Sequence, residues 1–228
     1  KSNKSVKGNV KSNYKIESFI SNLDDHIKKE DQLIVFHSSL IDFSIDKEDF
    51  KNKLMNYFKK LVDNNKTLVF ASFNFEFLEG KPFNIFTSAH QTGILSKWVE
   101  DCLDNAKRTF HPVYSWVVVG PKFKEINSCN EISVFGSESS FEFFEKNNAK
   151  YILIGTNSLT QIHRYELLSK VPYRYKKEFF GKCDFGNGQR EIMLKMNVRD
   201  LKLNPIIDDK EGVIPRILSE KMKRTFIG

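Results

Sequence analysis

Short, uninterrupted apolar runs alternate with amphipathic stretches along most of this chain, and that alternation restricts its fold more than any other feature. The runs are "LIVFHSSL", "KTLVFASF", "YSWVVVG" and "KYILIG". None shows the every-second-residue polarity of a strand with one wet face, so each reads as a strand buried on both sides. Between them, "IESFISNLDDHI", "KEDFKNKLMNYFKKLV", "TGILSKWVEDCL" and "SFEFFEKN" carry apolar residues at helical spacing. Buried strands need helices over both faces, which predicts an α/β fold with a central sheet flanked by helices. The last third differs. "PYRYKKEFFGKCDFGNGQREIMLKM" reads as two strands joined at Asn187-Gly188, a strong hairpin dipeptide, and predicts a C-terminal antiparallel hairpin extension. Further on, "PIIDDKEGVIPRIL" has helical apolar spacing and is expected to pack into the core. With 228 residues and no internal repeat or linker, one domain is expected over residues 14–228, after a flexible N-terminal segment at 1–13.

The formal charge of +7 favours anionic partners, but most lysines are interleaved with carboxylates, as in "DDHIKKEDQ". That pattern belongs to solvated helix faces and argues against a nucleic-acid partner, which needs basic residues gathered on one surface. Cys102, Cys129 and Cys183 stand far apart and lack CxxC or Cys/His spacing. Neither a disulfide framework nor a metal site is expected, and a reducing, cytoplasmic location fits. No apolar run is long enough to span a membrane, and the charged start "KSNKSVKGNVKSNYK" lacks the apolar core of a signal peptide.

Three stretches hold residue types suited to chemistry. In "SLTQIHRYELL", Thr160, His163 and Glu166 are spaced at i, i+3 and i+6, so one helical face carries all three and brings His163 to Glu166. A carboxylate beside an imidazole fixes its tautomer and raises its basicity, as a general base requires; it is also an ordinary ion pair, and spacing alone leaves both readings open. In "RTFHPVYSWVVVG", Arg108 offers a fork for phosphate or carboxylate, and Pro112 biases His111 toward extended backbone. In "VFHSSL", His37, Ser38 and Ser39 end a strand where hydroxyls and amides cradle a polar ligand or cap a helix. Strand ends of this kind, after "VF", "LVF" and "ILIG", are where α/β sheets gather ligands. Dinucleotide, P-loop, GxSxG and HExxH motifs are absent, and "DFGNG" lacks the companion signatures of a kinase.

Taken in order, "FHSSL", "KTLVFASFNF", "RTFHPVYSWVVVG", "VFGSESSF", "YILIGTNSLTQIHRYE" and "VPYRYKKEF" resemble the aminoglycoside 3-N-acetyltransferase family over most of the chain. The resemblance implies an acyltransferase domain that moves an acyl group from acyl-coenzyme A to an amine on a sugar. Its T-x-x-H-x-x-E segment falls on Thr160, His163 and Glu166, and implies that His163 is the general base, oriented by Glu166. The segments containing His37, Ser38, Ser39, Arg108, Thr109 and His111 border the coenzyme A channel in relatives and are expected contacts for it. The co-substrate implied is acetyl-CoA or another short acyl-CoA, without a metal.

The acceptor implied is a small amino sugar. The stretch "FNFEFLEGKPFNIFTSAHQTGILSKWV" resembles relatives associated with surface-polysaccharide genes. Together with the basic charge, it leads to the expectation of a nucleotide-linked amino sugar, whose phosphates suit Lys and Arg. The alternatives are an aminoglycoside antibiotic as acceptor and a basic binding protein without chemistry. The sequence leaves the oligomeric state open.

Overall fold

The computed structural model describes residues 16–40, 47–129, 132–200 and 224–227. The proposed flexible segment at 1–13 and the "PIIDDKEGVIPRIL" stretch lie outside the described residues. The apolar runs become strands: β1 (Leu33–Ser38), β2 (Thr67–Ala71), β5 (Trp116–Val119) and β6 (Lys150–Ile154). Together with β4 (Lys107–Arg108) and β9 (Arg224–Ile227) they form a six-stranded sheet in the order β4-β5-β2-β1-β6-β9. Strand β1 lies between β2 and β6 and runs parallel to both, with Val35 opposite Val69 on one side and Tyr151 on the other. Strand β5 joins β2 antiparallel, so the sheet is mixed.

Both faces are buried, which is why the strands read as continuous apolar runs. Ile34, Phe36, Leu68, Phe70, Val117 and Ile152 point into a core shared with the helices α1 (Ile16–His26), α2 (Lys47–Asp63) and α3 (Leu95–Cys102). Leu33, Val35, Val69, Trp116, Val118 and Leu153 point the other way. There they meet the short helices α4 (Phe123–Asn127) and α5 (Ser140–Lys146) and a second, three-stranded sheet. Trp116 sits at the centre of that face, its ring edge-on to Phe73, Phe141 and Phe144 at 4.9–5.5 Å between centroids. Helix α5 is capped by Ser139, whose hydroxyl accepts from the Glu142 amide.

The second sheet, β3-β7-β8, contains the expected hairpin, β7 (Arg174–Asp184) against β8 (Gln189–Arg199), with β3 (Phe83–Asn84) beside β7. The turn uses two glycines rather than Asn187. Gly186 and Gly188 take positive φ (98° and 90°), and the Asp184 carboxylate accepts from the Gly186 amide. Gly120, at the end of β5, has φ +122°, and a Cβ there would come within 2.5 Å of the Lys66 carbonyl oxygen. No other residue fits that exit. No helix among the described residues is long and apolar enough to cross a membrane.

Candidate active site

The chain leaves β1 through α2 to reach β2 on one side, whereas β6 lies on the other. Such a divergence opens a crevice beyond the carboxyl ends of the strands. A cleft of about 680 Å³ opens there. Its lining includes His37 and Ser38 at the end of β1 with Ser39 and Leu40 beyond it, Ala71 at the end of β2 with Phe73 and Phe75 beyond it, and Thr156, Ser158, Thr160 and His163 after β6. Gln91, Thr92, Gly93 and Ile94 close one wall, with Trp98, Phe50 and Tyr114 behind. The described lining contains no Lys, Arg, Asp or Glu; it is aromatic, with hydroxyls set among the rings.

His163 stands on α6 (Ile162–Leu168), one residue into the helix, and Thr160 lies in the turn that precedes it. The spacing read as one helical face therefore begins just ahead of the helix, although the His163 amide still donates to the Thr160 carbonyl. His163 Nδ1 is 2.6 Å from Glu166 Oε2. The hydrogen on Nδ1 donates to that carboxylate, which leaves Nε2 without a protein partner among the described residues, on a side chain about 30% exposed to the cleft. Burial pushes the Glu166 carboxyl up, but His163, Arg174 and the Tyr173 hydroxyl outweigh it and hold the carboxyl below its ordinary value.

Helix α6 is pinned from behind by residues whose importance the sequence did not reveal. Arg164 is buried and forks onto Glu145 (2.6 Å) and Glu142 (2.9 Å) of α5 while donating to the Phe135 and Gly136 carbonyls. Gln161, fully buried, accepts from the Tyr151 hydroxyl and donates to the Phe141 carbonyl. With both anchors inside, the next residue around the helix, His163, faces the cleft. Arg174, the first residue of β7, reaches the pair from the hairpin: its Nε lies 2.7 Å from Glu166 Oε2. A lone Arg in "PYRYKK" gave no spacing signal, because its partners sit on another element.

The expected coenzyme A contacts divide into two groups. His37, Ser38 and Ser39 line the cleft. His37 is buried against Phe73, Trp116 and Tyr151, and burial pulls its imidazole down to about 4, so it is neutral near pH 7. Arg108, Thr109 and His111 are not among the residues that line it. Arg108 is buried behind the wall, where it donates to the Ser115 hydroxyl and to the Ser88, Ser72 and Ala89 carbonyls and packs over the Phe83 ring. Burial draws it down to about 10, still a cation, and its fork is filled by the protein itself. The Thr109 hydroxyl accepts from the Trp116 amide. His111 Nδ1 accepts from the Val113 and Tyr114 amides, so its hydrogen sits on Nε2, and burial pulls the ring down to about 3. All three brace the wall that carries Tyr114.

The remaining wall is tied down by polar bonds. The Phe73 amide donates to the Thr92 hydroxyl, the Phe75 amide to Gln91 Oε1, and the Gln91 amide to the Phe73 carbonyl. His90 bridges the buried Ser72 hydroxyl (2.8 Å from Nδ1) to Glu100 (3.0 Å from Nε2). That order resembles a nucleophilic triad, but Ser72 has no exposed surface, so the bridge holds the loop rather than meeting a substrate. Gly93 brings its backbone against Ser38, where a Cβ would sit 2.8 Å from the Ser38 carbonyl oxygen. The cleft is thus a preformed slot with two histidines among its described lining residues: His37, whose Nε2 is buried without a partner, and His163, whose Nδ1 is held by Glu166.

Three solved structures share the fold over most of their length. Aminoglycoside acetyltransferase AAC(3)-IIb is 22% identical with a TM-score of 0.65, covering 80% of this chain and 75% of its own. AAC-IIIb, in a binary complex with CoASH, is 16% identical with a TM-score of 0.67, covering 90% of this chain and 84% of its own. AAC-VIa, bound to sisomicin, is 14% identical with a TM-score of 0.65, covering 81% of this chain and 76% of its own. No curated protein sequence gives a significant match. The profile of the aminoglycoside 3-N-acetyltransferase family matches residues 35–206, a span that runs from β1 past the hairpin and takes in the whole described cleft. The chain belongs to the aminoglycoside 3-N-acetyltransferase family, acyl-CoA-dependent N-acyltransferases that use acetyl-coenzyme A as co-substrate.

Proposed function

We propose that this protein transfers an acetyl group from acetyl-coenzyme A to an amine of an aminoglycoside-type acceptor in the β1/β2/β6 cleft, with His163 as general base. The observation that carries the proposal is the His163 ring itself: Nδ1 is held by Glu166, and Nε2 belongs to a side chain that lines the cleft. The aromatic and hydroxyl lining suits a pantetheine arm, which is uncharged and narrow, and places the anionic phosphates of coenzyme A outside the slot. Acetyl-coenzyme A supplies the thioester and a thiolate leaving group.

His163 Nε2 takes a proton from the acceptor amine as its nitrogen attacks the thioester carbonyl. The new C–N bond forms, the C–S bond breaks, and the sulfur leaves with the bonding electrons. The imidazolium then returns the proton to sulfur, so the products are an amide and free coenzyme A, and the ring is neutral again. Hydroxyls of Ser38 and Thr160, both on the cleft wall, are placed to donate to the oxygen that becomes negative in the tetrahedral intermediate.

An aminoglycoside acceptor is supported by the family and by the sisomicin complex of the structurally similar AAC-VIa. The second reading, a nucleotide-linked amino sugar, is favoured by the formal charge of +7 and by the lack of carboxylates in the described lining, where a polycation gains no ion pair. The discriminating assay follows thiol release from acetyl-coenzyme A with a multi-amine aminoglycoside in one reaction and a nucleotide-linked 4-amino sugar in another. Turnover with the aminoglycoside is the expected result. Turnover with the sugar nucleotide alone would move the acceptor to that class, and silence with both acceptors and with longer acyl donors would contradict acyl transfer.

A further inference from the structure

Two charged side chains from different elements meet on one ring nitrogen. His163 Nδ1 is 2.6 Å from Glu166 Oε2 and 2.8 Å from Arg174 Nη2, and Arg174 Nε is 2.7 Å from the same Glu166 oxygen. A ring nitrogen offers one in-plane direction. It either donates its hydrogen to the carboxylate or accepts one from the guanidinium, which has donors only and stays charged. Donation to Glu166 leaves Nε2 a base; acceptance from Arg174 would put the hydrogen on Nε2 and disable it.

The cation lies within hydrogen-bond distance of the ring. A glutamate alone beside an imidazole favours the imidazolium, which would leave the base occupied before the amine arrives and slow to surrender its proton afterwards. We infer that Arg174 is a positioning residue that draws Glu166 toward itself and sets a positive charge against His163, so that the resting ring stays neutral and the imidazolium readily passes its proton to the leaving thiolate. The inference rests on His163 being the base.

The surroundings leave Arg174 as the group able to do this. Its Nη1 donates to the Asn197 carbonyl of β8, so the hairpin fixes the fork. The Tyr173 hydroxyl donates to the other Glu166 oxygen at 3.1 Å, and burial and Glu166 keep that phenol protonated. Tyr114, on the cleft wall, is pushed up to about 12 by burial, against the opposing pull of Arg174. Arg199 faces Arg174 across the hairpin and acts on Tyr173. On α6 itself, Arg164 is turned away onto Glu142 and Glu145, and the Phe135 ring covers His163 edge-on at 5.4 Å.

The test compares wild type with Arg174→Gln, which removes the charge but keeps a donor, and with Arg174→Lys, which keeps the charge but loses the fork. Arg174→Met serves as a second neutral variant should the glutamine protein fail to fold. Two readouts are taken: the pH titration of the His163 ring nitrogens by ¹⁵N NMR without substrate, and the pH profile of kcat/KM. Activity needs the neutral ring and is lost as pH falls through the ring's midpoint. Removing a cation that opposes protonation raises that midpoint, so the acidic limb moves to higher pH. In the neutral variant both midpoints are expected to rise by about one unit, a loss of about tenfold on the acidic limb and little above it. In Arg174→Lys both should stay near wild type. A ring midpoint that does not rise, or a uniform loss at every pH, would overturn the inference. A shifted ring in an enzyme whose His163→Ala variant keeps full transfer would instead overturn the assignment of the base and leave the electrostatic effect standing.

Discussion

Replacing His163 with alanine is expected to lower kcat/KM for acetyl transfer by about 10²–10⁴-fold, the usual worth of a positioned general base. The amine then loses its proton to water while it attacks, and the thiolate leaves without a donor. The fold should survive. The ring is partly exposed, its ring contact is the edge of Phe135, and Glu166 keeps its ion pair with Arg174. A stability change of about 1 kcal/mol or less is expected for such a site. Thiol-release kinetics beside a thermal melt check both halves. A variant that melts like wild type and turns over at the wild-type rate would remove His163 from the chemistry.

The largest stability effect is expected at Trp116. Its side chain is almost completely buried, contacts His37, Phe73, Phe141 and Phe144 ring to ring, and donates from Nε1 to the Ser140 hydroxyl at 3.0 Å. Trp116→Ala removes the indole from the middle of an aromatic face that cannot collapse onto the gap, because both the sheet and α5 hold its edges. The cost is about 3–5 kcal/mol, and a melting temperature lower by about 10 °C follows for a chain of this length. Urea unfolding measures it. A loss under about 1 kcal/mol would mean that the face packs loosely. His37 and Phe73 rest on the same indole, so the cleft should loosen too, with a rise in KM for acetyl-coenzyme A.

The strands were legible for a physical reason. β1, β2, β5 and β6 are covered on both faces, so burial shows directly as unbroken apolar runs. β4 and β3 were not, because two-residue strands have no period to read. The hairpin dipeptide marked the right place, but the turn drew its positive φ from Gly186 and Gly188, a choice set by register rather than by the pair itself. In the site, the His163–Glu166 contact was legible because i and i+3 meet on any helix. Arg174 was not, since only the tertiary fold carries the hairpin to α6.

Arg108 and His111 lie apart from the described cleft lining, a placement that their sequence context did not reveal. In sequence, an arginine before a histidine-proline looks ready for a phosphate. Whether its fork faces a ligand or four backbone and hydroxyl oxygens is decided by burial, which composition does not encode. Buried, these residues support the wall on which Tyr114 stands.

The most direct measurement is a crystal structure with coenzyme A bound. If the β1/β2/β6 cleft is the catalytic slot, the thiol sulfur will lie within it, within hydrogen-bond reach of His163 Nε2 or one water away, about 3–6 Å, with the pantetheine arm along Ser38 and Ser39. A sulfur seated outside the cleft, or on a face of the protein from which His163 cannot be reached, would contradict the role given to both the cleft and the histidine.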